Sequence, residues 1–179
     1  MEGRALRART GPGRGCFLSR VAVISDTHLP RGTRVLPERC LELCSQADLL
    51  LHCGDVCMLD VWESLERLGP PLAGVHGNMD ELDLVELLPV ERMVEAEGVR
   101  IGLVHDPGPV AGRAARLRAR FPGCDAVIYG HTHLPEVSRD EDVWILNPGS
   151  PTERRRAPAH SMLVLEVEAG EIRPRLVEL

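Results

Sequence analysis

The sequence has no lysine, no long apolar run and no recognisable signal peptide. All 21 basic residues are arginines, so a mechanism that needs a catalytic lysine is excluded. The longest apolar stretches, such as residues 21–24, are the size of one strand, whereas a membrane helix needs about 20 apolar residues. We therefore expect a protein without a membrane-spanning segment or a membrane partner.

The N-terminal residues are rich in arginine but lack the continuous apolar block of a secretory signal peptide. We expect a cytoplasmic protein in which residues 1–19 form a flexible basic extension and residues 20–179 form a single domain. The extension has a second interpretation, contact with nucleic acid or an anionic surface. The formal net charge of −6 argues against a broad surface for long nucleic acids, but a small substrate or a short nucleic-acid end remains open.

Six cysteines fit neither the paired Cys-x-x-Cys spacing of a zinc ribbon nor a small secreted disulfide framework. We expect reduced and mostly buried thiols. A thiolate metal site is the alternative, either at Cys40 and Cys44, which share one helix face, or at Cys53 and Cys57, which flank a loop.

Short apolar segments alternate with helical segments in the first part of the chain, and strands dominate the last part. The predicted helices are 41–46, 56–68 and 111–120. The predicted strands are 21–24, 48–52, 72–75, two strands between 91 and 106 that join at Glu97 and Gly98, 126–129, 143–146, 162–167 and 172–177. This pattern favours an α/β sandwich whose sheets are covered by helices. The order of the strands in the sheets does not follow from it.

Five predicted strands end in loops that carry aspartate, histidine or asparagine. These residues are Asp26, His28, Asp55, Asn78, His105, His131 and His133. In open α/β sheets, ligands gather beyond the carboxyl ends of the strands, so the seven side chains are expected to converge. Oxygen and imidazole donors suit borderline or hard divalent ions, whereas structural zinc sites more often use thiolates.

Each of these residues also has a simpler explanation when it is taken alone. Asp26 would cap a turn, Asn78 would centre a turn, and His105 would form a hydrogen bond within a loop. The set favours a metal site, because strand ends on one edge would bring four histidines, two aspartates and one asparagine to one place.

The ordered set of Asp26-Thr27-His28, Gly54-Asp55, Gly77-Asn78, His105 and Gly130-His131-Thr132-His133 resembles the motifs of calcineurin-like metallophosphoesterases. The short chain, the Gly-Asn-Met-Asp form of the third motif and Asn147-Pro148-Gly149-Ser150 are similar to the small YfcE-type phosphodiesterases of bacteria and archaea. This resemblance implies a four-layer α/β/β/α sandwich with two mixed sheets, the metallo-dependent phosphatase-like fold.

The resemblance also implies a dinuclear metal site. Asp26, His28, Asp55 and His133 would bind the first ion, and Asp55, Asn78, His105 and His131 the second, with Asp55 as the bridge. Two divalent ions are expected, Mn²⁺ first, with Ni²⁺, Fe²⁺ or Zn²⁺ as alternatives. Two cations about 4 Å apart would lower the pKa of a bridging water, and the resulting hydroxide would attack the phosphorus in line.

The sequence departs from the family pattern at two positions. Many relatives have a histidine where this chain has Met79, and that histidine is usually assigned to protonation of the leaving group. Asp80 or a metal-bound water would replace it, or the enzyme would prefer good leaving groups. Asp106 stands where a glycine is common, and it would either orient His105 or cap a turn.

The predicted function is hydrolysis of small phosphate esters, above all phosphodiesters. The predicted catalytic residues are Asp55, Asn78, His105 and Asp80. One of the arginines at 154–156 is a candidate donor to the transition state, and His76 is a candidate substrate contact. The alternatives are a phosphomonoesterase or short-end nuclease, and a metal-binding scaffold with little catalysis, because one branch of the superfamily looks like a membrane-trafficking scaffold. No large nucleic-acid surface is expected, and a homo-oligomer stays open.

Overall fold

The computed structural model describes residues 19–179. The predicted basic extension, residues 1–19, lies almost entirely outside the described residues, and so does Cys16. The first strand begins at Ser19, one residue before the predicted start of the domain.

The described chain forms ten strands and four helices. The strands are β1 (Ser19–Ile24), β2 (Leu49–His52), β3 (Leu72–Gly74), β4 (Glu91–Ala96), β5 (Val99–Val104), β6 (Ala126–Tyr129), β7 (Glu136–Asp140), β8 (Val143–Asn147), β9 (Ser161–Glu168) and β10 (Glu171–Glu178). The helices are α1 (Glu38–Ser45), α2 (Leu59–Glu66), α3 (Leu82–Leu87) and α4 (Arg113–Arg120). Within residues 19–179, no helix is both long and apolar enough to cross a membrane.

The strands form two five-stranded mixed sheets. The first has the order β10-β9-β1-β2-β3, in which β1, β2 and β3 are parallel and β9 is antiparallel to both of its neighbours. The second has the order β4-β5-β6-β8-β7, in which β5, β6 and β8 are parallel and the two edge strands are antiparallel. The two mixed sheets confirm the predicted fold class.

Apolar side chains fill the space between the layers. Val23 and Leu51 of the first sheet pack with Leu103 and Ile128 of the second in one buried cluster between the sheets. The outer face of the first sheet packs against α1, and the outer face of the second packs against Leu117 of α4. Helices therefore cover both outer faces, which gives the four layers. The apolar area that these contacts remove from water drives the assembly.

The described cysteines contribute to this packing as free thiols, and all of them except Cys57 are buried. Cys40 and Cys44 lie in the cluster between α1 and the first sheet. The expectation that the cysteines are mostly buried is therefore confirmed for the described part of the chain.

Two elements, β7 and α3, were not predicted from the sequence. The strand β7 has the sequence Glu-Val-Ser-Arg-Asp, which contains no apolar run, because it is an edge strand without a buried face. The helix α3 has only six residues, and it buries Leu84 while Leu82 and Leu87 stay exposed. Neither element shows the periodicity that predicts a strand or a helix.

Candidate metal centre

The loops after five parallel strands meet at one edge of the two sheets. The ring of His105, after β5, has Nδ1 2.7 Å from the carbonyl oxygen of Cys53, after β2. The backbone N–H of His131, after β6, donates to both carboxylate oxygens of Asp26, after β1, at 3.1 and 3.0 Å. The loops of the two sheets are thus joined by direct hydrogen bonds, and the predicted convergence of the strand ends is observed.

One group of candidate ligands consists of Asp26, His28 and His133, all of them buried. Nε2 of His133 lies 3.2 Å from Oδ1 of Asp26 and 3.2 Å from Nε2 of His28. Nδ1 of His133 lies against the backbone carbonyl of Glu153. This contact fixes the ring so that Nε2 points toward the carboxylate.

A second group consists of Asp26, Asp55 and His105. Nε2 of His105 lies 3.3 Å from Oδ2 of Asp55, and the same oxygen lies 3.6 Å from Nε2 of His28. Asp26 belongs to both groups, and the Asp55 carboxylate lies near one histidine of each.

Asn78 and His131 extend the second group toward solvent. Oδ1 of Asn78 lies 2.9 Å from Nδ1 of His131. The ring of His131 packs edge-on against the ring of His105, with 5.2 Å between the centroids. All seven residues that the sequence singles out therefore lie in one continuous cluster.

The donor set fits divalent cations. Nδ1 of His105 donates to the carbonyl of Cys53, so Nε2 carries a lone pair whenever the ring is neutral. In the described part of the chain, this nitrogen is buried and has no hydrogen-bond partner, although a carboxylate oxygen lies 3.3 Å away. A buried lone pair that faces a carboxylate is costly unless a cation or a proton lies between them. Imidazole nitrogens and carboxylate oxygens are ligands that such cations take.

The pKa values of the two histidines nearest to Asp55 shift in opposite directions. Burial lowers the pKa of His105, but the contact with Asp55 and the charge of Asp26 outweigh burial and raise it to about 9. Burial lowers the pKa of His28 below its usual value despite the attraction of Asp55 and Asp26, and the neighbouring His133 adds to the lowering. The lowered pKa of His28 favours its neutral ring, which can act as a metal ligand.

The backbone of the site is strained at several ligand positions. Six non-glycine residues in these loops have φ values between 45° and 90°. They are Asp26, His28, Asp55, Cys57, His131 and His133. Such conformations cost of order 1–3 kcal/mol each and tend to persist at functional sites, where the surrounding contacts hold them in place. The strain is thus an independent sign that this cluster has a function.

Glycines next to the ligands leave room that no other residue would leave. A Cβ on Gly77 would overlap Oδ1 of Asp55 and would lie 2.6 Å from its backbone nitrogen. Gly54 has φ of 90°, and a Cβ there would lie 2.6 Å from Nδ1 of His105. The glycine in each motif is therefore needed because the ligand packs directly against it.

Asp80 is bound by the backbone of two loops. Its Oδ1 accepts a hydrogen bond from the N–H of Cys57 at 2.6 Å. Its Oδ2 accepts hydrogen bonds from Gly77 at 2.6 Å and Asp55 at 3.1 Å. These contacts favour a role in positioning Asp55. The assignment of Asp80 to proton transfer stays a prediction that this geometry does not support.

A loop that follows β8 buttresses the cluster. Ser150 donates its hydroxyl to the backbone carbonyl of Asp26 at 2.7 Å. Asn147, which is buried, donates to the carbonyl of Gly130 at 3.1 Å and accepts from Gly149. The Asn-Pro-Gly-Ser motif thus positions the loops that carry the candidate ligands.

Two further residues lie near the cluster: Glu153 was not predicted from the sequence, and Cys57 was named there only as an alternative thiolate ligand together with Cys53. Oε2 of Glu153 lies 3.9 Å from Nε2 of His28, and Glu153 forms an ion pair with Arg34. Sγ of Cys57 lies 3.6 Å from Nδ1 of His28. Neither residue directly follows a strand, so the strand-end pattern does not reveal them. The one signal for Glu153 is its position just after the Asn-Pro-Gly-Ser motif.

His52 has a structural position beneath the cluster. Its Nδ1 accepts a hydrogen bond from the N–H of Gly54 at 3.2 Å, so its Nε2 donates to the Thr27 hydroxyl at 3.2 Å. Complete burial lowers its pKa to about 4. These contacts favour a structural role for His52 rather than metal binding.

Local contacts bear on two further predictions, for Asp106 and for the arginines at 154–156. Asp106 accepts a hydrogen bond from the N–H of Gly108 at 2.8 Å, so it caps a turn. The three arginines at 154–156 are exposed, and Arg154 donates to the carbonyl of Ala157. Two other arginines, Arg116 and Arg120, lie closer to the cluster. They line a cavity of about 640 Å³ whose other lining residues include His76, Asn78, His105 and His131.

Comparisons with known proteins agree with this arrangement. A sequence profile described as the calcineurin-like phosphoesterase superfamily domain matches residues 20–170. A protein named probable metallophosphoesterase from Methanocaldococcus jannaschii is 40% identical over 152 residues, which cover 83% of this chain and 76% of that protein. A phosphodiesterase of the same organism is 24% identical over 145 residues, which cover 73% of this chain and 82% of that protein.

Solved structures show the same fold. The solution NMR structure of a Thermotoga maritima protein is 36% identical and matches with a TM-score of 0.71 over 90% of this chain and 99% of that one. The crystal structure of wild-type Vps29 from Entamoeba histolytica complexed with Zn²⁺ is 25% identical and has a TM-score of 0.69, covering 89% of this chain and 98% of that one. The profile match includes every loop that carries a candidate ligand.

Proposed function

The chain belongs to the calcineurin-like phosphoesterase superfamily, and we propose that it is a divalent-metal-dependent hydrolase that acts above all on phosphodiesters. The observation that carries the proposal is the position of the Asp55 carboxylate. One of its oxygens lies 3.6 Å from a ring nitrogen of His28 and 3.3 Å from a ring nitrogen of His105. A carboxylate between two sets of imidazole donors is suited to bridge two cations.

We propose two ion sites that share Asp55. Asp26, His28, Asp55 and His133 would hold the first ion, and Asp55, Asn78, His105 and His131 would hold the second. Divalent ions in such a site supply Lewis-acid chemistry, which activates water and neutralises phosphate charge. Mn²⁺ is the proposed native metal. The Zn²⁺ in the structurally similar Vps29 makes Zn²⁺ the first alternative to test.

The chain itself supplies orientation and burial. The hydrogen bond of His105 to Cys53 and the contact of His133 with Glu153 aim both Nε2 atoms into the cluster. Asp80 fixes the Asp55 backbone. Because these groups are held before the substrate binds, little reorganisation accompanies the reaction.

The two residues that follow Asn78 offer no evident acid for protonation of the leaving group. Met79, at the position of the usual histidine, has no ionisable group and is exposed, and both oxygens of Asp80 accept backbone hydrogen bonds. We therefore propose that the enzyme prefers esters with good leaving groups, for which protonation matters less.

The alternatives differ in the substrates that the protein would hydrolyse. A phosphomonoesterase would hydrolyse monoesters in preference to diesters, and a short-end nuclease would need an oligonucleotide end. A metal-binding scaffold would bind metal with little turnover of any ester. The phosphodiesterase name of the relative with 24% identity supports the diester as the first substrate to test.

The test measures hydrolysis of bis(4-nitrophenyl) phosphate and 4-nitrophenyl phosphate by protein that is stripped of metal and refilled with Mn²⁺, Ni²⁺ or Zn²⁺. The variants Asp55→Asn and His105→Ala should lower diester turnover roughly 100-fold or more, because even partners of metal ligands have large effects. Asp60→Asn and His160→Ala are matched controls outside the cluster and should keep wild-type turnover.

Metal-dependent turnover of the diester that is lost in both ligand variants would support the proposal. Turnover of the monoester alone would favour the phosphomonoesterase. Bound metal without turnover of either ester would contradict hydrolysis and favour the scaffold.

A further inference from the structure

We propose that the cavity beside Asn78 and His131 binds one substituent of the phosphodiester, and that Arg116 recognises an anionic group on this substituent. This inference rests on the proposed phosphodiesterase function and names its substrate class. The substrates would be diesters in which one alcohol carries a carboxylate or a further phosphate.

The cavity connects the candidate metal ligands to α4. Asn78, His105 and His131 form one end, and Arg116 and Arg120 lie on the part contributed by α4. Its volume of about 640 Å³ lies within the range of roughly 300–1,000 Å³ that is usual for small-molecule sites. A phosphate held at the ligand end would therefore leave room for its substituent to extend toward the arginines.

The two arginines differ in how their charges are compensated. Nε of Arg120 forms an ion pair with Oε1 of Glu91 at 2.5 Å. Arg116 donates to the backbone carbonyls of Pro107 at 2.9 Å, Pro109 at 2.6 Å and Ala111 at 3.3 Å. Carbonyl groups carry no net charge, and within residues 19–179 Arg116 forms no ion pair. Its positive charge is therefore uncompensated at the cavity wall.

The same hydrogen bonds prepare Arg116 for an anion. They use three of the five N–H donors of a guanidinium, so two donors remain. The side chain is already ordered, and binding would cost little rotamer entropy. Pro107 and Pro109 take both Nη2 hydrogens, so the remaining donors on Nε and Nη1 would each give a single charge-assisted hydrogen bond to an anionic oxygen.

The other lining groups favour an apolar body with an anionic end. Val90, Val104 and Pro109 line the cavity and would contact the body of the substituent. Asp106 also lines the cavity, but its carboxylate is bound to the N–H of Gly108 and is not paired with Arg116. No ion pair joins Asp106 to Arg116 within residues 19–179, but the Asp106 carboxylate keeps its negative charge and would reduce the attraction for an anion, so only a modest preference is expected.

The test uses two diesters that differ in one charge. Both are 4-nitrophenyl phosphates, and the second ester group is 4-carboxyphenyl in one and 4-carbamoylphenyl in the other. The leaving group is the same, and the carboxylate and the amide have nearly the same size. The wild-type protein should show a kcat/KM about fivefold higher for the carboxyphenyl ester, the size expected for an exposed ion pair.

Arg116→Gln should bring the ratio of the two kcat/KM values to about one. The control is Arg118→Gln, which lies on the same helix but pairs with Asp140 at 3.0 Å and does not line the cavity; it should keep the ratio. If Arg116 only braced its loop, the variant would slow both esters equally and the ratio would stay. A ratio that is the same in the wild type and in Arg116→Gln would overturn the inference.

A binding measurement separates this inference from the proposed function. Calorimetry with 4-carboxybenzyl and 4-carbamoylbenzyl phosphonate, which contain no ester bond to hydrolyse, should show about fivefold tighter binding of the carboxylate. Arg116→Gln should remove this preference, and an equal Kd for both phosphonates in the wild type would overturn the subsite. Absence of turnover together with the Arg116-dependent preference would refute only the hydrolytic function.

Discussion

Replacement of Asp80 by asparagine separates a positioning role from an acid role. The carboxylate accepts three backbone hydrogen bonds, from Asp55, Cys57 and Gly77. An asparagine keeps one oxygen, and its NH₂ group would face at least one N–H donor. The variant therefore loses one acceptor and turns the remaining bonds from charged to neutral.

The expected loss of stability follows from these contacts. Hydrogen bonds to charged groups contribute about 1.5–3 kcal/mol each, and an N–H without an acceptor costs a similar amount. Because Asp80 is half-buried, we expect Asp80→Asn to lower the free energy of unfolding by about 3 kcal/mol in total. For a domain of this size, that corresponds to a fall in Tm of about 6–12 °C. Thermal unfolding of the metal-free wild type and variant measures this fall in Tm, and the exposed Asp83→Asn serves as the control.

The effect on catalysis distinguishes the two roles. If Asp80 positions Asp55, the variant should hydrolyse methyl 4-nitrophenyl phosphate and methyl phenyl phosphate more slowly by the same factor, and it should bind metal more weakly. If Asp80 were the general acid, the phenyl ester, which has the poorer leaving group, would be slowed by about 100-fold or more while the nitrophenyl ester would change little. An unchanged Tm with selective loss of the phenyl ester would refute our reasoning.

Three further perturbations test other parts of the site. Gly77→Ala should weaken Mn²⁺ binding by at least about tenfold, measured by calorimetry, because the added Cβ would overlap the Asp55 carboxylate. Gly170→Ala, where the added Cβ would meet open space, should not weaken it, and equal affinities in the two variants would contradict the packing argument. Asn147→Ala should lower the free energy of unfolding by about 2–4 kcal/mol, since it leaves the Gly130 carbonyl and the Gly149 N–H unpaired. Chemical denaturation measures this change, and a much smaller loss would contradict the supporting role of the loop. The pKa of His105 is raised to about 9 by Asp55 and Asp26 against burial, so its stabilisation of the metal-free protein is complete below pH 6.5 and is lost as the pH rises to about 9. The Tm should therefore fall over this interval more steeply in the wild type than in His105→Gln, and parallel curves would contradict the assignment.

Much of the fold follows from local patterns. The strands β1, β2 and β6 are buried runs that end abruptly in polar loops, which is why the sequence predicts them within a residue or two. The strand order does not follow, because β1 pairs with β9, more than a hundred residues later in the chain. Such a pairing depends on tertiary packing, which local periodicity does not encode.

The site, like the fold, is predictable only in part from the sequence. The seven candidate ligands follow strands, and parallel strands present their carboxyl ends at one edge, so their convergence is predictable. Glu153 and Arg116 lie on a loop and a helix that reach the cluster through the three-dimensional fold. Asp80 is visible in the sequence, but its three backbone contacts are not, and these contacts decide between its possible roles.

The central claim is that two ions share the Asp55 carboxylate. A crystal grown with Mn²⁺ and measured at the manganese absorption edge tests it most directly. The account predicts two anomalous peaks about 4 Å apart on either side of Asp55, one beside His28 and His133 and the other beside Asn78 and His131. A single peak, or peaks away from Asp55, would contradict it.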